Sequence, residues 1–200
     1  GPQNTLYGRS SQAGVVNIIT RKPTNDLSFN GAVSYGSEEN LDLRAGVSGP
    51  IIEDELFYRL SGSFERRDGF YNNSFLPDEE YDEKSGGTVR GQLRWTPTEE
   101  WDYSLNASVE DYQDGSFPFV PLDNDPYDIE VDDNGFSELN TNSQSLKVAY
   151  FQPDFRVTSI TTRRFSQQVA NGDIDLTTLD GGTNGNDFDS TVWTQELRLL

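Results

Sequence analysis

From Leu27 to the end of the chain, apolar residues alternate with small or polar ones. A period of two residues is that of a β-strand with one apolar and one polar face. Eight runs follow this pattern, and their main apolar residues are Leu27, Phe29, Val33 and Tyr35; Leu41, Leu43, Ala45 and Val47; Leu56, Tyr58, Leu60 and Phe64; Val89, Leu93 and Trp95; Trp101, Tyr103, Leu105 and Val109; Leu146, Val148 and Tyr150; Phe155 and Val157; and Trp193, Leu197 and Leu199. The alternation predicts an all-β protein built on an antiparallel sheet.

The connections between these runs differ in length. Long polar connections are expected from the end of the third run to about Ser85, over 113–142 and over 170–189, and short turns at 49–55, 96–100 and 152–154. Gly49-Pro50 is expected to end the second strand. After the first hairpin, long and short connections alternate, which is typical of a membrane barrel with large extracellular loops and short periplasmic turns. The first connection, 36–39, is short where this scheme expects a long one.

The charged residues of the strands are predicted to share the polar face. Seven basic residues fall on it: Arg44, Arg59, Arg90, Arg94, Lys147, Arg156 and Arg198. A lipid-facing Arg or Lys in mid-membrane costs about 2–4 kcal/mol, so a barrel wall requires this segregation, although a soluble sandwich shows the same alternation. Arg163 and Arg164 are adjacent, and one of them is therefore expected near a rim or a bulge.

Two tryptophans, Trp95 and Trp101, flank the short connection 96–100. Two interpretations are open. The pair is either part of an aromatic girdle at a membrane interface or a packed pair in a soluble hairpin.

Composition excludes several classes of protein. The hydrophobic fraction is 33% and the mean hydropathy is −0.70, and no run approaches the roughly 20 apolar residues of a transmembrane helix. A β-barrel is compatible with such a polar average, because its strands alternate. The net charge of −19 argues against nucleic-acid binding. The absence of Cys and His removes thiolate and imidazole metal ligands and the commonest general base, and no cofactor is expected.

One segment, 130–135, resembles the start of a calcium loop, with oxygen-bearing side chains at alternate positions and Gly135 sixth. Position twelve is Thr141 where such a loop has a bidentate Glu, so a solvated acidic loop is the favoured interpretation. The glycine- and asparagine-rich stretch 181–187 lacks the repetition of a calcium-binding β-roll.

No catalytic motif is present, and we expect the chain not to be an enzyme. Residues 8–12 lack the closing Gly of a nucleophile elbow. The acidic pairs Glu99-Glu100 and Asp132-Asp133 are expected to be solvated loop residues. Four aromatic residues in the long acidic connection either touch a ligand or pack the loop onto itself: Phe117, Phe119, Tyr127 and Phe136. No ligand-binding residue is assigned from the sequence.

The first 23 residues read G-P-Q-N-T-L-Y-G-R-S-S-Q-A-G-V-V-N-I-I-T-R-K-P. Gly1-Pro2 and Gly8 mark turns, and 15–20 has the β-branched composition of a buried strand. The segment resembles the end of the plug domain of TonB-dependent outer-membrane receptors, which commonly runs G-P-x-x-x-L-Y-G and then G-G-V-I-N-I-I-T-K-x-P. Asn4 stands where the family often has a small residue, and Ala13 replaces the first Gly of the usual pair.

The resemblance implies an antiparallel transmembrane β-barrel of about 22 strands with a plugged lumen, in the outer membrane of a Gram-negative bacterium. Residues 1–23 would be the end of the plug and 24–200 the first strands of the barrel, so the sequence is expected to be a fragment. The implied ligand is an iron–siderophore complex, cobalamin or a carbohydrate, and the implied partner is the TonB energy-coupling complex. The acidic loops suggest a further partner, lipopolysaccharide bridged by divalent ions.

Two alternatives remain at this point. The first is a complete eight-stranded outer-membrane barrel with a structural or adhesion role. The second is a secreted β-sandwich that binds carbohydrate.

Overall fold

The structure, a computed structural model, describes residues 19–76, 81–119 and 127–200. None of these residues belongs to a helix long and apolar enough to cross a membrane. The regular structure is β, and the strands are β1 (Ser28–Tyr35), β2 (Leu41–Ile52), β3 (Leu56–Arg67), β4 (Asn72–Asn73), β5 (Lys84–Thr98), β6 (Trp101–Asp114), β7 (Asp128–Ile129), β8 (Phe136–Phe151), β9 (Arg156–Asp173) and β10 (Thr183–Leu199).

Eight of the strands form one sheet in the order β1-β2-β3-β5-β6-β8-β9-β10, in which each strand is antiparallel to its neighbours. The predicted all-β antiparallel fold is confirmed. Within the described residues β1 and β10 are not paired with each other, so the sheet is open. It is neither a closed eight-stranded barrel nor two stacked sheets of a sandwich. The remaining two strands, β4 and β7, form a separate parallel pair.

The register separates the two faces of the sheet. One row of Cα partners runs Leu60, Gly91, Ala107 and Gln144, and the next row on the other face runs Ser61, Arg90, Ser108 and Ser143. All seven basic residues predicted for the polar face lie on it, which confirms that prediction. We call this face inner and the opposite face outer. Large apolar side chains on the outer face are left open, as for Leu60 (51% exposed) and Val109 (56% exposed).

The strands extend further toward the long connections than predicted. The sixth predicted strand begins at Phe136 and not near Leu146, and the seventh continues from Arg156 to Asp173. The long connection predicted over 113–142 is therefore confined to 115–135. Phe136, predicted as a loop residue, is the first residue of β8. These extensions are predominantly polar, and their few apolar residues fall on both faces, so alternation did not reveal them.

The two prolines near the short turns do not end their strands. β2 continues past Gly49-Pro50 to Ile52, with a register shift against β3 between Pro50 and Ile52. A second shift lies between Trp95 and Thr98, on either side of Pro97. Proline has no N–H to donate to the ladder, and a bulge accommodates it. The prediction of a break at Gly49-Pro50 is wrong.

Arg163 and Arg164 also differ from the prediction. Both lie in the regular part of β9, which pairs with β8 and with β10 without a register shift. Arg164 lies on the inner face, opposite Ser143, and Arg163 on the outer face, opposite Gln144. Neither is at a rim or a bulge.

The N-terminal motif lies mostly outside the described residues, which begin at Ile19. The expected plug strand over 15–20 is therefore not described beyond its last two residues. From there, residues 19–27 lead into β1.

Candidate functional site

The segment that precedes β1 is bound to the inner face of the sheet. The Gln92 amide donates to Thr20 Oγ1 at 2.9 Å, and Thr24 N donates to Ser48 Oγ at 3.3 Å. Ser48 in turn donates to the Tyr58 carbonyl at 3.0 Å. Ser48 is fully buried and Gln92 nearly so. The short polar side chains of the inner face thus hold a second piece of chain.

A reciprocal pair of hydrogen bonds ties the same segment to a short turn. Asn25 Nδ2 donates to Asp54 Oδ1 at 2.8 Å, and Asp54 N donates to Asn25 Oδ1 at 3.0 Å. Asp54 has a positive φ of 61°, a conformation that Asp tolerates in turns. The segment therefore reaches the sheet at its short-turn end.

On the inner face, several basic side chains are neutralised by carboxylates on the same face. Arg94 pairs with Asp102 on the neighbouring strand, with Nη2 and Oδ2 3.0 Å apart. Arg44 binds Asp42 at 2.6 Å, and Arg198 binds Glu196. The inner wall is thus polar with local charge balance, which suits a surface facing a hydrated lumen.

Aromatic rings form a continuous belt on the outer face at the short-turn end. Trp95 packs on Tyr103 with ring centroids 5.2 Å apart, and Trp101 packs on both Tyr103 (5.6 Å) and Tyr150 (4.6 Å). Tyr150 continues the belt to Phe155 at 6.2 Å. Because the rings span three neighbouring strands and the turn before β9 in one band, they agree with a membrane-interface girdle better than with an isolated tryptophan pair.

The long connections fold onto one another as a small unit, which we call the loop unit: the described residues of 68–83 and 115–135. β4 and β7 pair in parallel, with Asn72 N bound to the Tyr127 carbonyl and Ser74 N to the Ile129 carbonyl. Tyr81, Ile129 and Val131 form its apolar core, each 2% exposed or less. Burial raises the pKa of the Tyr81 hydroxyl, and the nearby carboxylates of Asp173 and Asp133 raise it further, against the opposing hydrogen bond to Ser116.

Asn73 is the polar centre of the loop unit and is 1% exposed. Its amide donates to the Val131 carbonyl at 2.9 Å and to Asn134 Oδ1 at 2.6 Å. Its carbonyl accepts from three backbone N–H groups, those of Phe75, Leu76 and Val131. A buried side chain with five such bonds specifies one arrangement of the two loops. Local sequence does not distinguish Asn73, because Val131 and Asn134, to which its amide donates, are 58 and 61 residues away.

The candidate calcium segment 130–135 is used for contacts within the loops. Asp133 Oδ1 accepts from Gly135 N at 2.7 Å, and Asp132 N donates to the Thr177 carbonyl at 3.1 Å. The part of the chain that the structure describes contains no group of three acidic residues arranged to hold a metal ion. Burial raises the pKa of Asp132, and the negative charges of Asp173, Asp180 and Asp175 raise it further.

The predicted aromatic contacts separate into three groups. Phe117 and Phe119 pack edge to face, 5.4 Å apart, and remain 75% and 57% exposed. They line a cleft of about 270 Å³ together with Tyr81 and Asp173. Tyr127 packs on Tyr71 at 6.0 Å inside the loop unit. Phe136 belongs to β8. At the opposite end of the sheet, the exposed turn residue Glu100 accepts a hydrogen bond from the Thr98 hydroxyl, which lowers the pKa of Glu100.

Comparison with known proteins agrees with this architecture. No family model matches the chain. A probable TonB-dependent siderophore receptor, PirA of Acinetobacter baumannii, is 32% identical over 127 residues, 54% of this chain and 16% of the relative. The ferrioxamine B receptor of Salmonella typhimurium is 29% identical over 123 residues, 60% of this chain and 16% of the relative. The chain is thus similar in sequence to TonB-dependent outer-membrane receptors over about half of its length.

Solved outer-membrane receptors share the fold of this sheet. The ferric yersiniabactin uptake receptor FyuA from Yersinia pestis superposes with a TM-score of 0.86 at 22% identity, over 100% of this chain and 32% of that one. The ferric-catecholate import receptor Fiu from E. coli K12 superposes with a TM-score of 0.69 at 16% identity, over 98% and 30%. This receptor chain therefore spans 16% of its curated relatives and about a third of these structures. Its apolar outer face and the aromatic belt at the short-turn end suit contact with the lipid of a membrane.

Proposed function

We propose that the receptor takes up an iron–siderophore complex across the outer membrane, driven by the TonB energy-coupling complex. The observation that carries the proposal is the inner face of the sheet, a polar wall to which residues 20–25 are hydrogen-bonded. A wall that holds a segment inside the lumen is what a plugged barrel requires. The relatives named for siderophores supply the ligand class, and the relatives are receptors and not enzymes.

The domain division belongs to the same proposal. Residues 1–23 are the end of a plug and 24–200 the first strands of a barrel of about 22 strands. In support, Thr20 contacts the inner face at Gln92, whereas Asn25 is already bound to a short turn of the wall. The boundary at 23/24 lies between these two contacts.

The ligand side of the receptor is assigned to the loop unit and the cleft beside it. The cleft is lined by Gly172 and Asn184 from the inner face and by Asp173 from the outer face, so it lies at the long-loop rim of the wall. The exposed rings of Phe117 and Phe119 suit the planar aromatic or heterocyclic groups of a metal chelate. The acidic loops are also proposed to bind lipopolysaccharide through divalent ions.

The test is uptake of radiolabelled iron by a strain that lacks the chromosomal gene and carries the full-length receptor. Ferrioxamine B, a ferric catecholate and ferric yersiniabactin are supplied one at a time. We expect one of the three to be taken up with the receptor and with TonB, and not without either. Uptake of cobalamin or of an oligosaccharide in place of all three would overturn the ligand class but keep TonB-dependent transport.

A second arm tests the acidic loops. Asp175 and Asp180 are changed to Asn, and the release of lipopolysaccharide by a chelator is compared with that from the wild type. If divalent ions bridge these carboxylates to the lipid, the variant retains less lipopolysaccharide before the chelator is added and loses less after it. An identical response would contradict the bridge.

A further inference from the structure

The outer face of the sheet changes character between β6 and β8. On β6, apolar side chains occupy five successive outer positions from Trp101 to Val109. On β8, only Tyr150, Val148 and Leu146 are apolar, and the next three outer positions are amides, Gln144, Asn142 and Asn140. A tilted strand rises about 2.5 Å per residue along the barrel axis. The apolar band is therefore about 20 Å tall at β6 and about 10 Å tall at β8.

The polar outer surface continues across the next two strands. The outer positions of β9 between Val157 and Phe165 are Ser159, Thr161 and Arg163. Thr161 donates to Gln195 Oε1 on β10 at 2.5 Å, and Gln195 donates to Ser159 Oγ at 2.9 Å. This continuous surface, which we call the polar sector, lies beside the apolar wall of β2–β6 and on the same face.

Arg163 carries the charge of the polar sector. Its Nη1 donates to Asn142 Oδ1 at 2.8 Å and to Gln144 Oε1 at 3.1 Å, and both acceptors are neutral amides. Within residues 19–76, 81–119 and 127–200, Arg163 has no carboxylate partner, in contrast to Arg94 and Arg44 on the inner face. Two amides orient the guanidinium but leave its positive charge uncompensated.

The position of Arg163 along the strand determines which groups can compensate its positive charge. It lies seven residues beyond the start of β9, about 17 Å above the short-turn end, and four residues, about 10 Å, below Gln167. The outer carboxylates nearest in register, Asp111 on β6 and Asp189 on β10, are in the row of Gln167 and so lie closer to the loops. An anion at Arg163 must therefore come from outside the chain, at the depth where the outer leaflet begins.

We propose that the polar sector binds one phosphorylated lipid headgroup of the outer leaflet, with Arg163 as the direct phosphate ligand. A guanidinium presents paired N–H donors that match phosphate oxygens, and Asn142 and Gln144 hold it in place. The shortened apolar band lets the headgroup layer descend to this level. Trp193, the Cα partner of Arg163 on β10, is 66% exposed and supplies an interfacial aromatic surface beside it.

This site is independent of the transported ligand and rests only on the position of the outer face in lipid. It also differs from the bridging proposed for the acidic loops, because an arginine–phosphate contact needs no metal ion. A chelator therefore separates the two.

The test uses the full-length receptor extracted from outer membranes in mild detergent with excess chelator, and native mass spectrometry to count bound phosphorylated lipid. The variants are Arg163→Gln and, as a matched control, Arg164→Gln, the neighbouring residue on the inner face. We expect the wild type and R164Q to retain one lipid in chelator, and R163Q to lose it by about tenfold or more, as expected for a lost charge-assisted contact. Arg163→Lys should retain an intermediate fraction, because Lys keeps the charge but not the paired donors.

A second readout covers the source of the phosphate and the folding of the variant. Wild type is reconstituted with a phosphorylated lipid, with the same lipid lacking phosphate, or with inorganic phosphate, and only the first should give the bound mass. R163Q should take up iron–siderophore at the wild-type rate, which shows that it is folded. Three outcomes would each overturn the assignment. R163Q and wild type could retain the lipid equally, or the wild type could lose it in chelator. The species lost from R163Q could also prove to be a bound protein and not a lipid.

Discussion

Most side chains of the eight-stranded sheet are exposed or half-buried, whereas the loop unit encloses Tyr81, Ile129, Val131 and Asn73 with 2% exposure or less. The sheet is held by long regular ladders, and its outer face carries exposed apolar side chains. The loop unit is held by a few side chains whose partners come from different loops. A single substitution should therefore affect the sheet through the face on which it lies, and the loop unit through the particular bond that it removes.

The largest effect is expected for a charge on the outer face of the sheet. Leu105→Arg places a guanidinium four residues above Trp101, inside the apolar band of β6, at a cost of about 2–4 kcal/mol. Asn106→Arg is the matched control on the inner face. Urea titration of the receptor in lipid vesicles should show a lower midpoint for L105R and little change for N106R. Equal loss in both variants would mean that the two faces are not distinguished by lipid.

The next effect tests the polar centre of the loop unit. Asn73→Leu removes five hydrogen bonds and leaves buried backbone groups without partners, at about 1–3 kcal/mol for each such group in the worst case. Hydrogen exchange should accelerate at Ser74 and Val131 while the ladders of β5 and β6 stay protected. Asn72→Leu, at the exposed neighbouring position, should leave exchange unchanged. If β5 and β6 lost protection as well, the loop unit and the sheet would form a single cooperative unit.

Two glycines with positive φ separate backbone strain from steric contact. Gly135 has a φ of 64°, and an added Cβ would lie 2.4 Å from the Asn171 carbonyl oxygen on β9; Gly182 has a φ of 89° and open space around it. Both Gly→Ala changes add left-handed strain of about 1–2 kcal/mol. Limited proteolysis at 127–135 should be faster for G135A than for G182A. Equal rates would show that the loop can move away from β9 without a loss of stability.

The smallest effect is a pH dependence of the same unit. The pKa of Asp132 is raised above its ordinary 3.8 by burial and by Asp173, Asp180 and Asp175, so ionisation opposes the folded loop. The contribution of Asp132 to the stability of the loop unit is greatest below pH 3.8, and it is lost as the pH rises through the raised pKa. Asp132→Asn should therefore protect the loop amides better than wild type at pH 7, with the difference vanishing below pH 3.8 after correction for intrinsic exchange. A difference that persists at the lower pH would assign the effect to packing.

Most strands were predictable because apolar outer positions alternate with polar inner positions along them. Alternation ceases in the stretch Ser137–Ser145 at the long-loop end of β8, where polar residues predominate on both faces, and the predicted start of that strand was late for this reason. Gly49-Pro50 was predicted to end its strand because a proline lacks a ladder donor, and Pro97 was placed in the short turn 96–100. The structure shows that a bulge is sufficient.

The loop unit and the polar sector were not predictable from local pattern. Asn73 binds Val131 and Asn134, 58 and 61 residues away, and nothing in its own neighbourhood distinguishes it from a solvated Asn. The apolar pair Ile129 and Val131 within an acidic stretch was the available signal for a local core. Arg163 could be assigned to a face only once the register of β9 against β8 was known.

The tether formed by Thr20, Thr24 and Asn25 also has a mechanical consequence. Its contacts with Gln92, Ser48 and Asp54 are three separate attachments, and the pulling force of the proposed TonB-dependent uptake would load them one after another, as in peeling. The next element, β1, is joined to β2 by eight successive residue pairs, and a force along the strand loads all of them together in shear. Peeling needs little force and shearing needs much more. The tether can therefore detach from the wall while β1 acts as the stop that keeps the barrel intact.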